Sequence, residues 1–578
     1  MSDNLFLSGN QALARGAWEA GAKFAAAYPG TPSTEILEEI GSRYPEIKAQ
    51  WSPNEKVAFE VAMGASLGGV RSLVAMKHVG LNVAADPLFT SSYTGVNGGF
   101  VIISADDPGM HSSQNEQDNR NYAKFAKIPC LEPADSQEAK DFVGLAFSIS
   151  EKFDTPVLLR STTRLSHSKS LVKPGKRGKV EDKPYIKDIK KWVVIPAHAR
   201  LLHIQVEERL KRLETFSEGM EVNRIELGDD TSLGIIASGV SYQYAREVFP
   251  QASFLKLGMS HPLPKKLITK FSQLVDRLWV VEENDPFIEE GVKILGIKIM
   301  GKERVPTCGE LNPELLRKAF GGEETSPSEH EDLPPRPPAL CPGCPHRGFY
   351  YGVKKLGLIA TGDIGCYTLA VLPPLSAVDT CVCMGASVGN ALGMEKALQG
   401  RAKSKIIATI GDSTFIHSGI TGLIDLAYNK GEITLCILDN ESTAMTGHQD
   451  HPGTGKTLRG EPTRRLDYVK LVQAAGIERV RVVDPYDLAA VKEALKEETE
   501  VPEPSVIIFR RLCALKVKRE GKIHKVNPEK CIDCGLCLEL GCPAIYHQEG
   551  KAVIDPFLCM PGCDMCQQVC TVGAIEEE

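Results

Sequence analysis

Eight cysteines crowd the last 48 residues of this 578-residue chain. Their order is Cys531-x2-Cys534-x2-Cys537-x4-Cys542-Pro543, then, after a gap, Cys559-x3-Cys563-x2-Cys566-x3-Cys570. Closely spaced thiolates are soft ligands that wrap one face of an iron–sulfur cubane, while a fourth comes from the other half of the repeat. On that crossover rule Cys531, Cys534, Cys537 and Cys570 hold one [4Fe–4S] cluster, and Cys542, Cys559, Cys563 and Cys566 hold the other. Two four-cysteine zinc sites are the alternative, and the crossover with Cys542-Pro543 weighs against it. The x4 and x3 gaps, and Thr571 where proline often follows, depart from the simplest pattern without removing a ligand.

A second group is oxygen-rich. Gly411-Asp412-Ser413 is followed, 25 residues later, by Asp439-Asn440. Each follows an apolar strand, so a carboxylate and an amide oxygen come together at the C-terminal edge of a sheet, where α/β proteins bind ligands. With phosphate oxygens they suit octahedral Mg2+. The plain alternative is a strand–turn–helix with a capping Asp. The pair resembles the motif of thiamine diphosphate folds, usually Gly-Asp-Gly…Asn-Asn. That resemblance implies Mg2+ held by Asp412, Asn440 and the Ser442 carbonyl. Gly411 and Ser413 then lie within the cofactor loop, and Thr446 and Gly447 beside the diphosphate. Asn54-Glu55…Gly64, a Glu opening a small-residue helix, resembles the pyrimidine-domain helix of the same enzymes. It implies that Glu55 hydrogen-bonds the pyrimidine N1′; Glu60 is the runner-up. The alternative is a helix N-terminal Glu favoured by the macrodipole.

The elements that position these residues read as α/β. An apolar Ala- and Gly-rich helix is expected over Ala12–Ala27, leading into Tyr28-Pro29-Gly30-Thr31-Pro32-Ser33 and a helix from Ser33 or Thr34. Short buried strands at 73–77, 100–104, 233–238, 277–282, 405–410 and 434–438 alternate with helices, which means parallel sheets. A charged helix fits 200–216. Residues 169–191 carry 9 Lys or Arg against 3 acids; they read as a solvated connection or as a surface for an acidic ligand. Ser326–Pro338 (SPSEHEDLPPRPP) marks a boundary.

Together these motifs resemble the thiamine diphosphate-dependent 2-oxoacid:ferredoxin oxidoreductases, and among them the alpha subunits of the indolepyruvate branch. The finer likeness lies in Asp106-Asp107-Pro108-Gly109-Met110-His111-Ser112-Ser113-Gln114, in Cys341-Pro342-Gly343-Cys344-Pro345-His346-Arg347 and in Met445-Thr446-Gly447-His448-Gln449. The resemblance spans the chain. It implies a pyrimidine-binding domain over 1–165, a linker and helix over 166–228, a transketolase-C-like α/β domain over 229–325 and a Pro-rich linker over 326–340. A diphosphate-binding domain then covers 341–516, and a small dicluster ferredoxin domain covers 517–578. Thr31 is implied to contact the substrate carboxylate or carbonyl, with His111 and Gln114 near the mouth of the site. His448 and His451 are either cleft acids or plain loop residues. Pyruvate-type relatives imply a third cluster on Cys341, Cys344, Cys366 and Cys513; an inert turn or a zinc site is the alternative. Cys130, Cys308, Cys381, Cys383 and Cys436 are expected in the core.

The implied reaction is oxidative decarboxylation of an aryl 2-oxo acid such as indolepyruvate, with CoA taking the acyl group and ferredoxin the electrons. The implied partner is a small beta subunit, in an α2β2 heterotetramer. Other readings are a pyruvate- or 2-oxoglutarate-type enzyme, a non-oxidative thiamine diphosphate decarboxylase, or an electron-transfer subunit with a vestigial cofactor fold. A net charge of −7 disfavours a general nucleic-acid binder. No apolar run spans a membrane, and Met1-Ser2-Asp3-Asn4 shows no secretory signal, so a cytoplasmic address is expected.

Overall fold

The structure, a computed structural model, describes residues 4–321, 337–398 and 405–578; most of the expected Pro-rich linker lies outside the described residues. The chain divides into two units, Met1–Glu331 and Asp332–Glu578.

The first unit is built on a seven-stranded sheet. Its order is Met259–His261, Cys130–Leu131, Val157–Thr162, Phe100–Asp106, Ser72–Lys77, Phe24–Ala27, Lys48–Trp51. All neighbours are parallel except Met259–His261, which pairs antiparallel with Cys130–Leu131. The central strands are buried at every residue, as a sheet covered on both faces requires. The expected helix over Ala12–Ala27 is corrected. The helix runs Gly9–Glu19, Gly21 takes a φ of 71° that ends it, and Phe24–Ala27 is a strand. Alanine there serves a central strand, because small side chains let helices pack close on both faces.

A second, four-stranded sheet follows in the order Arg277–Val281, Asp230–Ser238, Ala252–Leu257, Asn223–Glu226. The lines drawn at 165 and at 228 do not separate the two sheets. Asn223–Glu226 belongs to the second sheet, and Met259–His261 belongs to the first. Buried polar contacts also join the regions of the two sheets. Arg120 Nη1 lies 2.8 Å from Glu282 Oε2, and Arg160, paired with Asp106 and Glu132 within the first region, donates to Asn284 Oδ1 at 3.2 Å. In the basic stretch, Lys169–Val172 pairs with Leu5–Ser8, and Arg177 donates to the carbonyls of Trp18 and Ala22.

The second unit carries a six-stranded parallel sheet, ordered Thr380–Cys381, Ile359–Gly362, Ile406–Gly411, Thr434–Asp439, Ser505–Arg510, Val480–Val483. Beyond it the chain forms two ribbons, His524–Val526 with Ile575–Glu577 and Ile545–Gln548 with Lys551–Ile554. Among the described residues no helix is long and apolar enough to cross a membrane. Cys130 and Cys436 are buried in sheet strands, as expected. Cys308, Cys381 and Cys383 are exposed instead, because Cys381 ends an edge strand and the other two lie in loops.

Candidate functional site

Strands Ile406–Gly411 and Thr434–Asp439 run side by side, with Gly411 opposite Leu438. Asp412 and Asn440 therefore emerge together at the C-terminal sheet edge, both buried, with Ser442 buried beside them. Asp412 Oδ1 accepts the Ser413 N–H at 2.8 Å, and Oδ2 accepts the Ser442 N–H at 3.3 Å. Burial by itself pushes the Asp412 carboxyl up; the adjacent His451 and these donors outweigh it and hold it below the usual carboxylate range. His451 Nε2 is 3.3 Å from Asp412 Oδ2 but is not aligned for a hydrogen bond. Its Nδ1 accepts the Gly453 N–H at 3.1 Å, which leaves the ring proton on Nε2, facing the carboxylate.

Asn440 offers the test of fit to a metal. Its Nδ2 is 3.3 Å from His346 Nε2, while its Oδ1 is buried with no hydrogen-bond partner. An orphaned buried oxygen costs about 1–3 kcal/mol. A hard cation shared with the Asp412 carboxylate would offset that cost, so the donor set fits Mg2+ with phosphate. Burial pulls the His346 imidazole down to about 4, so it is neutral beside the amide. Asp439 points elsewhere, onto Arg510 Nε at 2.7 Å; burial, followed by the Asp412 charge, pushes it up to about 6. In the following loop Thr446 Oγ1 bonds Gln449 Oε1 at 2.5 Å, and Gly447 has a φ of 124°.

The cysteine sets assemble within the same unit. Cys542, Cys559, Cys563 and Cys566 line one small pocket, walled by Leu540, Ile545, Ile554, Met560 and Met565. Burial pushes the Cys563 thiol up to about 11, and the neighbouring sulfurs of Cys542 and Cys559 add to it. In the other set burial raises Cys537, reinforced by Cys534, Cys531 and Cys570. Sulfurs that raise one another gain most from a bound cation, which removes their mutual repulsion. Backbone N–H groups also point at sulfur, from Ala574 to Cys570 at 3.2 Å and from His524 to Cys559 at 3.5 Å. The third set draws on three separate segments, the CPGC turn, the Cys366 turn and the Cys513 loop. Burial lifts Cys344 to about 12 and Cys366 to about 11, with Cys341 adding to both and Cys513 adding to Cys366. Among the described residues no three metal-binding side chains close around a single ion.

The CPGC turn also meets the tail. Arg347, fully buried, donates to the carbonyls of Leu340 and Cys341 and, at 2.7 Å, to Leu540. A Cβ on Gly343 would fall 2.6 Å from that of Met560. His448 Nδ1, just after the Thr446–Gly447 turn, stands 4.0 Å from Cys513 Sγ.

In the first unit Asn54 caps the Glu55–Leu67 helix, accepting the Val57 N–H at 2.9 Å. Glu55 is buried, and a Cβ on Gly80 would fall 2.6–2.9 Å from its side chain. Glu60 is exposed and paired with Lys56, so it faces away from any cleft. Thr31 is half-buried in the turn after Phe24–Ala27. His111 and Gln114 are exposed, with His111 3.2 Å from Glu310. Sequence reasoning left His346 and Lys77 unassigned. For His346 the signal was its place in the CPGC motif; Lys77 had none beyond a charge at a strand end.

Residues 15–195 match the family described as pyruvate flavodoxin/ferredoxin oxidoreductase, thiamine diP-bdg. Residues 363–509 match the thiamine pyrophosphate enzyme, C-terminal TPP binding domain. An indolepyruvate oxidoreductase subunit IorA from Pyrococcus horikoshii is 43% identical, covering 100% of this chain and 97% of its own length. The IorA subunit from Archaeoglobus fulgidus is 44% identical over 99% of this chain and 97% of its own. A solved 2-oxoglutarate:ferredoxin oxidoreductase from Magnetococcus marinus covers 55% of this chain and 64% of its own, at 18% identity and a TM-score of 0.48, too slight a likeness to argue from. With full-length identity above 40% to several such subunits, the chain belongs to the indolepyruvate oxidoreductase IorA family.

Proposed function

We propose that this chain is the catalytic subunit of an oxidoreductase that decarboxylates aryl 2-oxo acids, indolepyruvate above all, and delivers the electrons to ferredoxin. One 2-oxo acid and one CoA thiol give one aryl acyl-CoA, carbon dioxide and a proton, and two electrons leave singly. The observation that carries the reading is the full-length identity to indolepyruvate oxidoreductase subunits. When bound, thiamine diphosphate supplies the electron sink for decarboxylation and the clusters supply one-electron carriers.

The chain's own residues would do the following. Asp412, Asn440 and the Ser442 carbonyl hold Mg2+, and the orphaned Asn440 oxygen supports this. Gly411, Ser413, Thr446 and Gly447 shape the diphosphate loop. Glu55 hydrogen-bonds the pyrimidine nitrogen and fixes its proton. Cys531, Cys534, Cys537 and Cys570 hold one cluster in a ferredoxin-type tail. Cys542, Cys559, Cys563 and Cys566 hold the second, and their shared cavity supports that grouping. Cys341, Cys344, Cys366 and Cys513 hold a third. A small beta subunit completes an α2β2 assembly, and the 17 cysteines suit a reducing cytoplasm.

The test is anaerobic. The chain, co-purified with its small subunit, is given indolepyruvate with and without CoA, then pyruvate and 2-oxoglutarate, while ferredoxin reduction is followed. CoA-dependent reduction fastest with indolepyruvate is expected. Decarboxylation that leaves ferredoxin oxidised would overturn the oxidative reading, and a preference for pyruvate or 2-oxoglutarate would overturn the substrate.

A further inference from the structure

Lys77 is the last residue of the Ser72–Lys77 strand, at the C-terminal edge of the seven-stranded sheet. It is buried, with 8% of its surface exposed. Its Nζ donates to the Ser112 carbonyl at 2.6 Å and reaches the Ser112 hydroxyl at 3.4 Å. That hydroxyl in turn donates to the Thr31 carbonyl at 3.4 Å. A Cβ on Gly30 would lie 3.1 Å from that of Lys77. Three residues on, Gly80 backs the Glu55 side chain. Lys77 thus shares one sheet edge with both residues that the family likeness puts at the reacting centre.

An ammonium has three donors, and the two oxygens of Ser112 take two of them. Among the described residues Lys77 forms no ion pair. The nearest acid, Asp107, is committed elsewhere. Its oxygens accept from the Ser112 N–H at 2.9 Å, the Ser113 hydroxyl at 2.5 Å and the Thr163 hydroxyl at 2.6 Å. Burial pulls Lys77 down to about 8, and Asp107 partly restores it, so the group is still mostly cationic at neutral pH. A buried cation with an open donor and no close counter-charge is costly unless an anion joins it.

We propose that Lys77 anchors the carboxylate of the 2-oxo acid through the donor that Ser112 leaves open. This rests on the oxidoreductase reading above. The chemistry sets a signature. The anchored carboxylate lies beside, not at, the carbonyl carbon that is attacked, so the attraction is the same in the bound substrate and in the transition state of that attack. Removing it weakens binding without slowing the chemical step. A phosphate of CoA offers similar anion chemistry, and the two sources separate kinetically.

The experiment uses the complete enzyme with Lys77→Met and Lys77→Arg. Iron content and thiamine diphosphate affinity equal to the parent's show an intact fold; Lys77→Gln replaces Lys77→Met if they fall. The expected result is a rise of about 100-fold in KM for indolepyruvate, as for loss of one partner in a buried charge pair. KM for CoA and kcat hold, and Lys77→Arg recovers most of the affinity. Equilibrium binding of indole-3-acetate, an aryl carboxylate with no 2-oxo group, should be lost in parallel. A rise in KM for CoA alone, a fall in kcat at unchanged KM, or no change in either would overturn the assignment. Failure of the oxidoreductase reading would show instead in the parent enzyme, as no ferredoxin reduction with any 2-oxo acid.

Discussion

Gly80→Ala separates the position of Glu55 from the stability of its surroundings. Gly80 lies in the short His78–Val83 helix without a positive φ, so alanine suits its backbone and should favour the helix by up to about 1 kcal/mol. The new methyl would nevertheless fall 2.6 Å from Glu55 Cγ, 2.7 Å from Oε1 and 2.9 Å from Cδ, where ordinary contact begins at 3.4 Å. The carboxyl must therefore move by roughly 0.8 Å, and a displacement near 1 Å costs about 100-fold in rate where alignment matters. The expected phenotype is unusual: unchanged melting, unchanged iron, and kcat for indolepyruvate-dependent ferredoxin reduction down about 100-fold. Glu55→Gln keeps the bulk and removes the carboxyl, and should fall at least as far. Stopped-flow reduction under anaerobic conditions reads both variants. Parent-like turnover in Gly80→Ala would show that the carboxyl's placement is not used, and the role given to Glu55 would fall with it.

Asp412→Asn should weaken Mg2+-dependent thiamine diphosphate binding by about 1.4 kcal/mol or more, a factor of ten; titration by fluorescence quenching checks this, and an unchanged affinity would remove Asp412 as a ligand. Cys341→Ser should lower bound iron by about a third if three cubanes are present, with iron quantitation as the readout and full iron as the refuting result. Glu283 is pushed up to about 7 by burial, against an ordinary value of 4.5. Its folded state holds the proton more tightly than the unfolded chain does, so its stabilisation is full below pH 4.5 and is lost as pH rises through about 7. The loss amounts to about 3 kcal/mol at 1.36 kcal/mol per pH unit. Glu283→Gln should flatten that decline in urea midpoints measured across the window, and a slope as steep as the parent's would show that another group causes it.

What could be read from the sequence was chemistry set by local spacing. The tail cysteines and the Asp412–Asn440 pair are fixed by a few residues on either side of a turn or by adjacent strands, so their order along the chain already implies their grouping. That Glu55 opens a helix was legible because a helix start leaves an N-cap and a small-residue face. Lys77 was not, because its significance depends on Ser112 and Thr31, brought together by three strands and a loop. The orphaned oxygen of Asn440 and the neutral His346 beside it are likewise products of burial, which one residue's type does not reveal. The Phe24–Ala27 strand was hidden by its alanines, which favour helix until a sheet buries them on both sides. Exposure of Cys381 turned on strand order, and that of Cys308 and Cys383 on loop position, neither of which composition encodes.

The strand Met259–His261 completes the edge of a sheet whose previous member, Val157–Thr162, is about 100 residues earlier in the chain. At about 5–20 residues per second, a ribosome needs roughly 5–20 s to deliver that last strand. Throughout this interval the Cys130–Leu131 edge stands open, and because it is only two residues long it offers a passing chain few unpaired donors and acceptors. Synthesis of this chain therefore contains a built-in waiting period, during which the shortness of that edge limits mispairing.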